Sequence, residues 1–256
     1  MTSVAYGLAF PATRGVLAYH PAGGGFDPTS LFSGDTGGWW DVSDMSTLYQ
    51  DSAGTTPVTA ADQPVGRIDD KSGNGKHLLQ ATSSARPILR NSGSLWWLEF
   101  DGIDDFLRAT FTFDQPFTRV TPAQQVSWTL LDKLWDGAVH ETSLYQSTSS
   151  PIIKMFAATS GPASSDMTVG ANHVVTEIFN SAGGATASKL AIDNNSYQTG
   201  DPGANNPGGA TIGSRYDNAN PARINWFGAI WIGRVLDSTE IANCRTYFGA
   251  KAGLSL

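Results

Sequence analysis

The sequence has little cysteine, little charge and no long apolar run. Its one cysteine, Cys244, excludes an intrachain disulfide and any metal site built on thiolates. A lone cysteine on an apolar stripe is expected in the core. Charged residues make up only 15% of the chain, and 16 Lys and Arg against 23 Asp and Glu leave a net charge of −7. No basic cluster is present. Nucleic-acid binding, which needs concentrated positive charge, is therefore not expected. No apolar stretch approaches the roughly 18 residues that cross a bilayer as a helix, so membrane insertion is not expected either. Met1 to Pro11 lack a basic start and an apolar heart, so export by a signal peptide is not expected. The four histidines, His20, His77, His140 and His173, show no ligand spacing.

What is present points to strands and turns. The chain holds 28 Gly and 13 Pro, which favour frequent turns over long helices. Short apolar segments recur between turn signals, as in a two-sheet sandwich. The central stretch runs from Leu95 to Leu107. Leu95 to Phe100 is aromatic and apolar, which suits a strand. Asp101-Gly102 and Asp104-Asp105 then favour a tight turn in which the chain reverses. Leu107, Ala109, Phe111 and Phe113 alternate with polar residues, as in a half-buried strand. A further strand is expected over 124–131, with Val126, Trp128 and Leu130 on one face. One helix is expected near the C-terminus. Asp237 and Glu240 form a capping box, Ile241, Cys244, Tyr247 and Phe248 share a stripe, and Gly253 ends it.

Three motifs occur in order. They are Asp70-Lys71-Ser72-Gly73-Asn74-Gly75-Lys76-His77, then Leu98-Glu99-Phe100-Asp101-Gly102-Ile103-Asp104-Asp105, then Ala210 to Gly213 with Trp226 to Ile230 and Leu236 to Ile241. Together they resemble concanavalin A-like, laminin-G-like (LamG) domains over roughly residues 40 to 250. The resemblance implies an all-β fold, a two-sheet antiparallel β-sandwich jelly roll with one short C-terminal helix. Residues Trp39 to Val58, with Gln63-Pro64-Val65-Gly66 and Asp70 to Gly73, resemble a segment placed before such domains in tail, fibre and other virion proteins of phages and phage-like particles. This implies a particle-surface location, outside the host cell.

Residues 1–38 are punctuated by Gly and Pro yet rich in Tyr, Leu and Phe. They read as an arm that attaches to other virion proteins, or as a first strand of the same sandwich, with 39–256 as the sandwich domain.

Candidate sites follow from residue type. Sandwich hydrolases of the resembling family carry acids as Glu-x-Asp-x-x-Glu on a strand, and none of Glu99, Glu141, Glu177 and Glu240 shows that pattern. Glu99 is expected to be a solvated surface residue and Glu240 a helix cap. Catalysis is therefore not expected. Saccharide binding needs an aromatic platform and amides. Trp97, which alternates away from Trp96 and Leu98, is a candidate, with Trp135, Tyr145, Tyr216, Asn218 and Trp226 in or beside polar loops. The resemblance also implies Ca²⁺ at a loop rim. Asp101, Asp104 and Asp105 form one acidic group, Asp193, Asn194 and Asn195 a second, and Asp217, Asn218 and Asn220 a third. Turn capping by Asp and Asn accounts for the same residues without a metal. The functional expectation is a non-enzymatic fibre or spike protein, a homo-oligomer with a trimer favoured, that binds host-surface glycan. The alternative is a structural decoration or adaptor subunit.

Overall fold

A computed structural model describes residues 25–256. In chain order, β1 (Gly37–Asp41), β2 (Leu48–Tyr49), β3 (Arg67–Ile68), β4 (Leu78–Leu79), β5 (Ile88–Ser92) and β6 (Leu95–Asp101) precede the acidic turn. β7 (Leu107–Thr110), β8 (Phe117–Gln125), β9 (Lys133–Asp136), β10 (Ser143–Gln146), β11 (Ile153–Phe156) and β12 (Ser160–Ser164) follow it. β13 (Asn172–Phe179), β14 (Lys189–Ile192), β15 (Gln198–Thr199), β16 (Gly209–Ile212), β17 (Arg223–Trp226) and β18 (Gly228–Ile232) lead to helix α1 (Ser238–Lys251).

Among the described residues these strands form two nine-stranded sheets. The first runs β15-β14-β13-β8-β17-β6-β5, with β18 also on β8 and β1 on β18. The second runs β12-β11-β10-β9-β16-β7-β4-β3-β2. Every pairing between these strands is antiparallel. The fold is a β-sandwich with one C-terminal helix.

The acidic turn changes sheets. β6 lies in the first sheet and β7 in the second, so the two are not a hairpin. Leu98 and Phe100 point into the core from one layer, Leu107 and Ala109 from the other. The turn bridges layers that stand about 10 Å apart in a sandwich. It is held from within: the Ile103 amide donates to Asp101 Oδ1 at 2.8 Å and the Asp101 amide to Asp105 Oδ2 at 3.0 Å. Gly102 takes φ +74°, and a side chain there would meet the backbone of Arg223.

The core between the sheets contains Trp40, Leu98, Phe100, Phe113, Trp135, Trp226 and Trp231. A second apolar cluster lies on the outer side of the first sheet. Val120, Val174, Ile178, Ile230 and Ile232 are covered there by Ile241, Cys244 and Phe248 of α1. The helix begins as expected. Asp237 accepts from the amides of Thr239 and Glu240, while Glu240 accepts from the Asp237 amide at 2.9 Å. The boundary expected at residue 38 falls inside β1, and Leu31 and Phe32 are buried in the second cluster. The rest of the expected arm, residues 1–24, lies outside the described residues.

The strand expected over 124–131 differs. The strand is Phe117–Gln125, and Leu130 is exposed. Its sequence hides it, because Pro122 sits inside it and Arg119 points inward, where apolar alternation predicts neither.

β17 and β18 act as one interrupted strand. Both pair with β8, but their other neighbour changes from β6 to β1. Phe227 and Gly228 stand between the inward-facing Trp226 and Ala229, one residue more than alternation allows, which is a bulge.

Candidate saccharide-binding face

The outer face of the first sheet is half covered by α1. On the bare half, alternation along β6 puts Trp97, Glu99 and Asp101 on the side away from the buried Leu98 and Phe100. Register then assembles their neighbours. Glu99 stands between Ile88 and Asn225, Asn225 beside Gln124, and Gln124 beside Asn172. One row thus crosses five strands. Asn225 Nδ2 donates to Gln124 Oε1 at 2.7 Å, and Asn172 Nδ2 donates to the Ala252 carbonyl at 2.8 Å, tying the row to the end of α1.

The row lines two shallow clefts, one toward each end. The first, about 230 Å³, is lined by Trp97, Phe227, Gln124, Asn172 and Asn225. The Trp97 and Phe227 rings lie 6.1 Å apart, tilted by 45°. Trp97 is half-buried, and its buried indole N–H has no hydrogen-bond partner among the described residues. The second cleft, about 250 Å³, is lined by Arg86, Arg90, Glu99, Asp101 and Asp105. Arg90 donates to Glu99 Oε2 at 2.7 Å and also pairs with Asp62. Burial pushes the Asp105 carboxyl up to about 7, and the charges of Asp101, Asp104 and Glu99 act in the same sense.

Of the saccharide candidates, Trp97 lies on this face. Trp135 and Trp226 are fully buried between the sheets and cannot stack a sugar. Tyr145 is buried, with Lys133 Nζ 4.1 Å above its ring. Tyr216 is half-buried beside Arg215, and Asn218 accepts from Arg108 Nη2 at 2.7 Å. Position near a polar loop does not show whether a ring faces out. The amides of Gln124, Asn172 and Asn225 escape sequence reading because only strand register joins them. Glu99 is not a freely solvated residue, since Arg90 and Arg223 both approach it.

Asp101, Asp104 and Asp105 have carboxylate oxygens within 4.8 Å of one another and could together hold a cation. In the second acidic loop both oxygens of Asp193 are engaged. Oδ1 accepts from the Val174 amide at 2.8 Å, and Oδ2 pairs with His173 Nδ1 at 2.8 Å. Asn195 donates its amide to the Ile192 carbonyl. Asp217 accepts from Arg215 Nε at 2.7 Å and from the Ala219 amide at 3.2 Å.

No family model and no curated protein matches the chain. Solved structures do. One is a Trypanosoma rangeli sialidase in complex with the inhibitor DANA, with a TM-score of 0.51 at 13% identity over 80% of this chain and 36% of that one. Another is a GH54 α-L-arabinofuranosidase soaked with a cyclic sulfate inhibitor, with a TM-score of 0.58 at 16% identity over 84% of this chain and 62% of that one. A third is an arabinofuranosidase complexed with arabinofuranosyl-α-1,2-xylobiose, with a TM-score of 0.51 at 15% identity over 74% of this chain and 51% of that one. The chain thus spans between about a third and three-fifths of these three proteins. They share its sandwich fold, and they are glycosidases. That overturns the expectation that the chain is not an enzyme. The expectation rested on one acid pattern along a strand. Yet Glu99 and Asp101 stand two residues apart on one face, and the turn brings Asp105 to the same cleft.

Proposed function

We propose that the chain is a concanavalin A-like jelly-roll module on the surface of a phage or phage-like particle, in a tail, fibre or spike, that binds host-surface polysaccharide. The observation that carries this reading is the partly exposed Trp97, backed by the buried Phe227, beside the amides of Asn225, Gln124 and Asn172. An aromatic surface with polar groups at its edge meets both faces of a sugar, the C–H bonds and the hydroxyls. The particle setting is supported by the resemblance of Trp39 to Val58, Gln63 to Gly66 and Asp70 to Gly73 to segments of phage virion proteins. Display as a trimer would raise avidity without any new contact.

The test is binding of the purified chain to host cells and to their extracted polysaccharide. Saturable binding, competed by free glycan, is expected for the native chain. A loss of more than about tenfold is expected for Trp97→Ala with its unfolding midpoint kept. Release of reducing ends from the same polysaccharide, measured alongside, reads any hydrolysis. Absence of binding by the folded chain, with tight association to another particle protein, would favour the adaptor reading. Leu130 and Leu131, half exposed on one loop, are the residues it would use.

A further inference from the structure

The geometry points to one continuous groove for an uncharged oligosaccharide laid across the strands, rather than two separate monosaccharide sites. This rests on the glycan reading above and specifies its ligand. The two clefts adjoin where β6 pairs with β17: Glu99 lines one, its register partner Asn225 lines the other, and Trp97 of the second stands two residues along β6 from Glu99. The row from Ile88 through Glu99, Asn225 and Gln124 to Asn172 crosses five strands. Four interstrand spacings of about 4.8 Å make it about 19 Å long. That is a length for several sugar units. One end is closed by the last turn of α1, through the bond from Asn172 to Ala252. The other opens toward the exposed Ser84 beyond β5.

Charge selects the ligand class. Two of the three arginines of the groove already face an acid. Arg90 holds Glu99 and Asp62, Arg223 lies 3.9 Å from Glu99, and Arg86 donates to the carbonyls of Gln80 and Ala81. Glu99, Asp101 and Asp105 line the same surface. A uronate or sialate would meet these three carboxylates with Arg86 as the one lining cation that does not already face an acid among the described residues, whereas sugar hydroxyls can bond to the amide donors and acceptors left over from the row's own bonds.

The test is calorimetric titration of the full chain with xylo-, manno- and cello-oligosaccharides from disaccharide to hexasaccharide, and with oligogalacturonates of the same lengths. At least one neutral series is expected to bind, with affinity rising until the groove is filled. The oligogalacturonates are expected to bind at least about tenfold more weakly. Ser84→Trp, which fills the open end on an exposed turn, is expected to weaken the longest neutral ligand about tenfold and leave the disaccharide unchanged. Affinity that is already complete at the disaccharide, indifference to Ser84→Trp, or preference for the acidic series overturns the inference while the glycan reading stands. A folded chain that binds none of these and no host polysaccharide overturns both.

Discussion

Trp135 donates its indole N–H to Glu177 Oε2 at 2.6 Å in the middle of the sandwich. Both residues are fully buried. Arg119 stands 3.8 Å from the other carboxylate oxygen, and its guanidinium lies 4.1 Å from the Trp231 ring, with Phe117 and Phe179 each at 4.9 Å. It also donates to the Thr142 carbonyl at 2.7 Å and hydroxyl at 2.9 Å. Burial pushes the Glu177 carboxyl up, and the Arg119 charge opposes it.

Removing one member of this pair strands the other. Glu177→Leu is expected to destabilise the chain by about 3–5 kcal/mol, because a charged Arg119 then lies buried without compensation. Glu177→Gln is expected to cost less, since its amide oxygen still accepts from Trp135. Urea unfolding of the two variants reads the difference. Equal losses would mean that the indole bond contributes nothing.

Asp105 makes stability depend on pH in a defined direction. Its folded value of about 7 lies above the ordinary 3.8, so the folded chain holds the proton more tightly than the unfolded chain. That stabilisation is complete below about pH 3.8 and disappears as pH rises through about 7. Asp105→Asn removes the titrating group and keeps an oxygen for the Asp101 amide. The fall in unfolding midpoint between about pH 4 and pH 8 is expected to be shallower in this variant. It will not vanish, because burial also lifts Asp136 to about 7. An unchanged slope in Asp105→Asn would contradict the assignment.

Asp193 fastens the turn after β14 at φ +53°, with both carboxylate oxygens engaged. Asp193→Ala loses these bonds and puts alanine in a left-handed conformation, a loss of about 2 kcal/mol. The loss is expected to be the same with calcium or with chelator. A calcium-dependent rise in the midpoint of the native chain that disappears in Asp193→Ala would instead make this loop a metal site.

Legibility in the sequence followed the locality of each signal. The capping box of Asp237 and Glu240 and the stripe of Ile241, Cys244 and Phe248 lie within three turns of chain, and the helix stands where they place it. The Asp70 motif is local in its own turn but reaches one distant strand. Its carboxylate takes the amides of Ser72 and Lys76 within the turn and that of Trp39 from the middle of β1, fixing the strand against the turn. Tertiary choices were not legible. Nothing between Phe100 and Leu107 shows that the chain changes sheets there. A tryptophan next to a polar loop reads alike whether it faces solvent, as Trp97 partly does, or bonds to a buried glutamate, as Trp135 does. The amide row is less visible still, since Gln124, Asn172 and Asn225 meet only after three strands have chosen neighbours.

The bulge at Phe227 and Gly228 divides one strand into two regimes of tolerance. Before it, the outward side chains Arg223 and Asn225 meet solvent and can be exchanged at little expense to folding. After it, Ile230 and Ile232 lie beneath the helix, where a change of volume is felt. The outward positions of the first half can therefore vary while Ile224 and Trp226 beneath them, and the whole of the second half, keep the scaffold constant. Gly228 guards that border, because a side chain there would come within 2.5 Å of the Trp40 carbonyl oxygen.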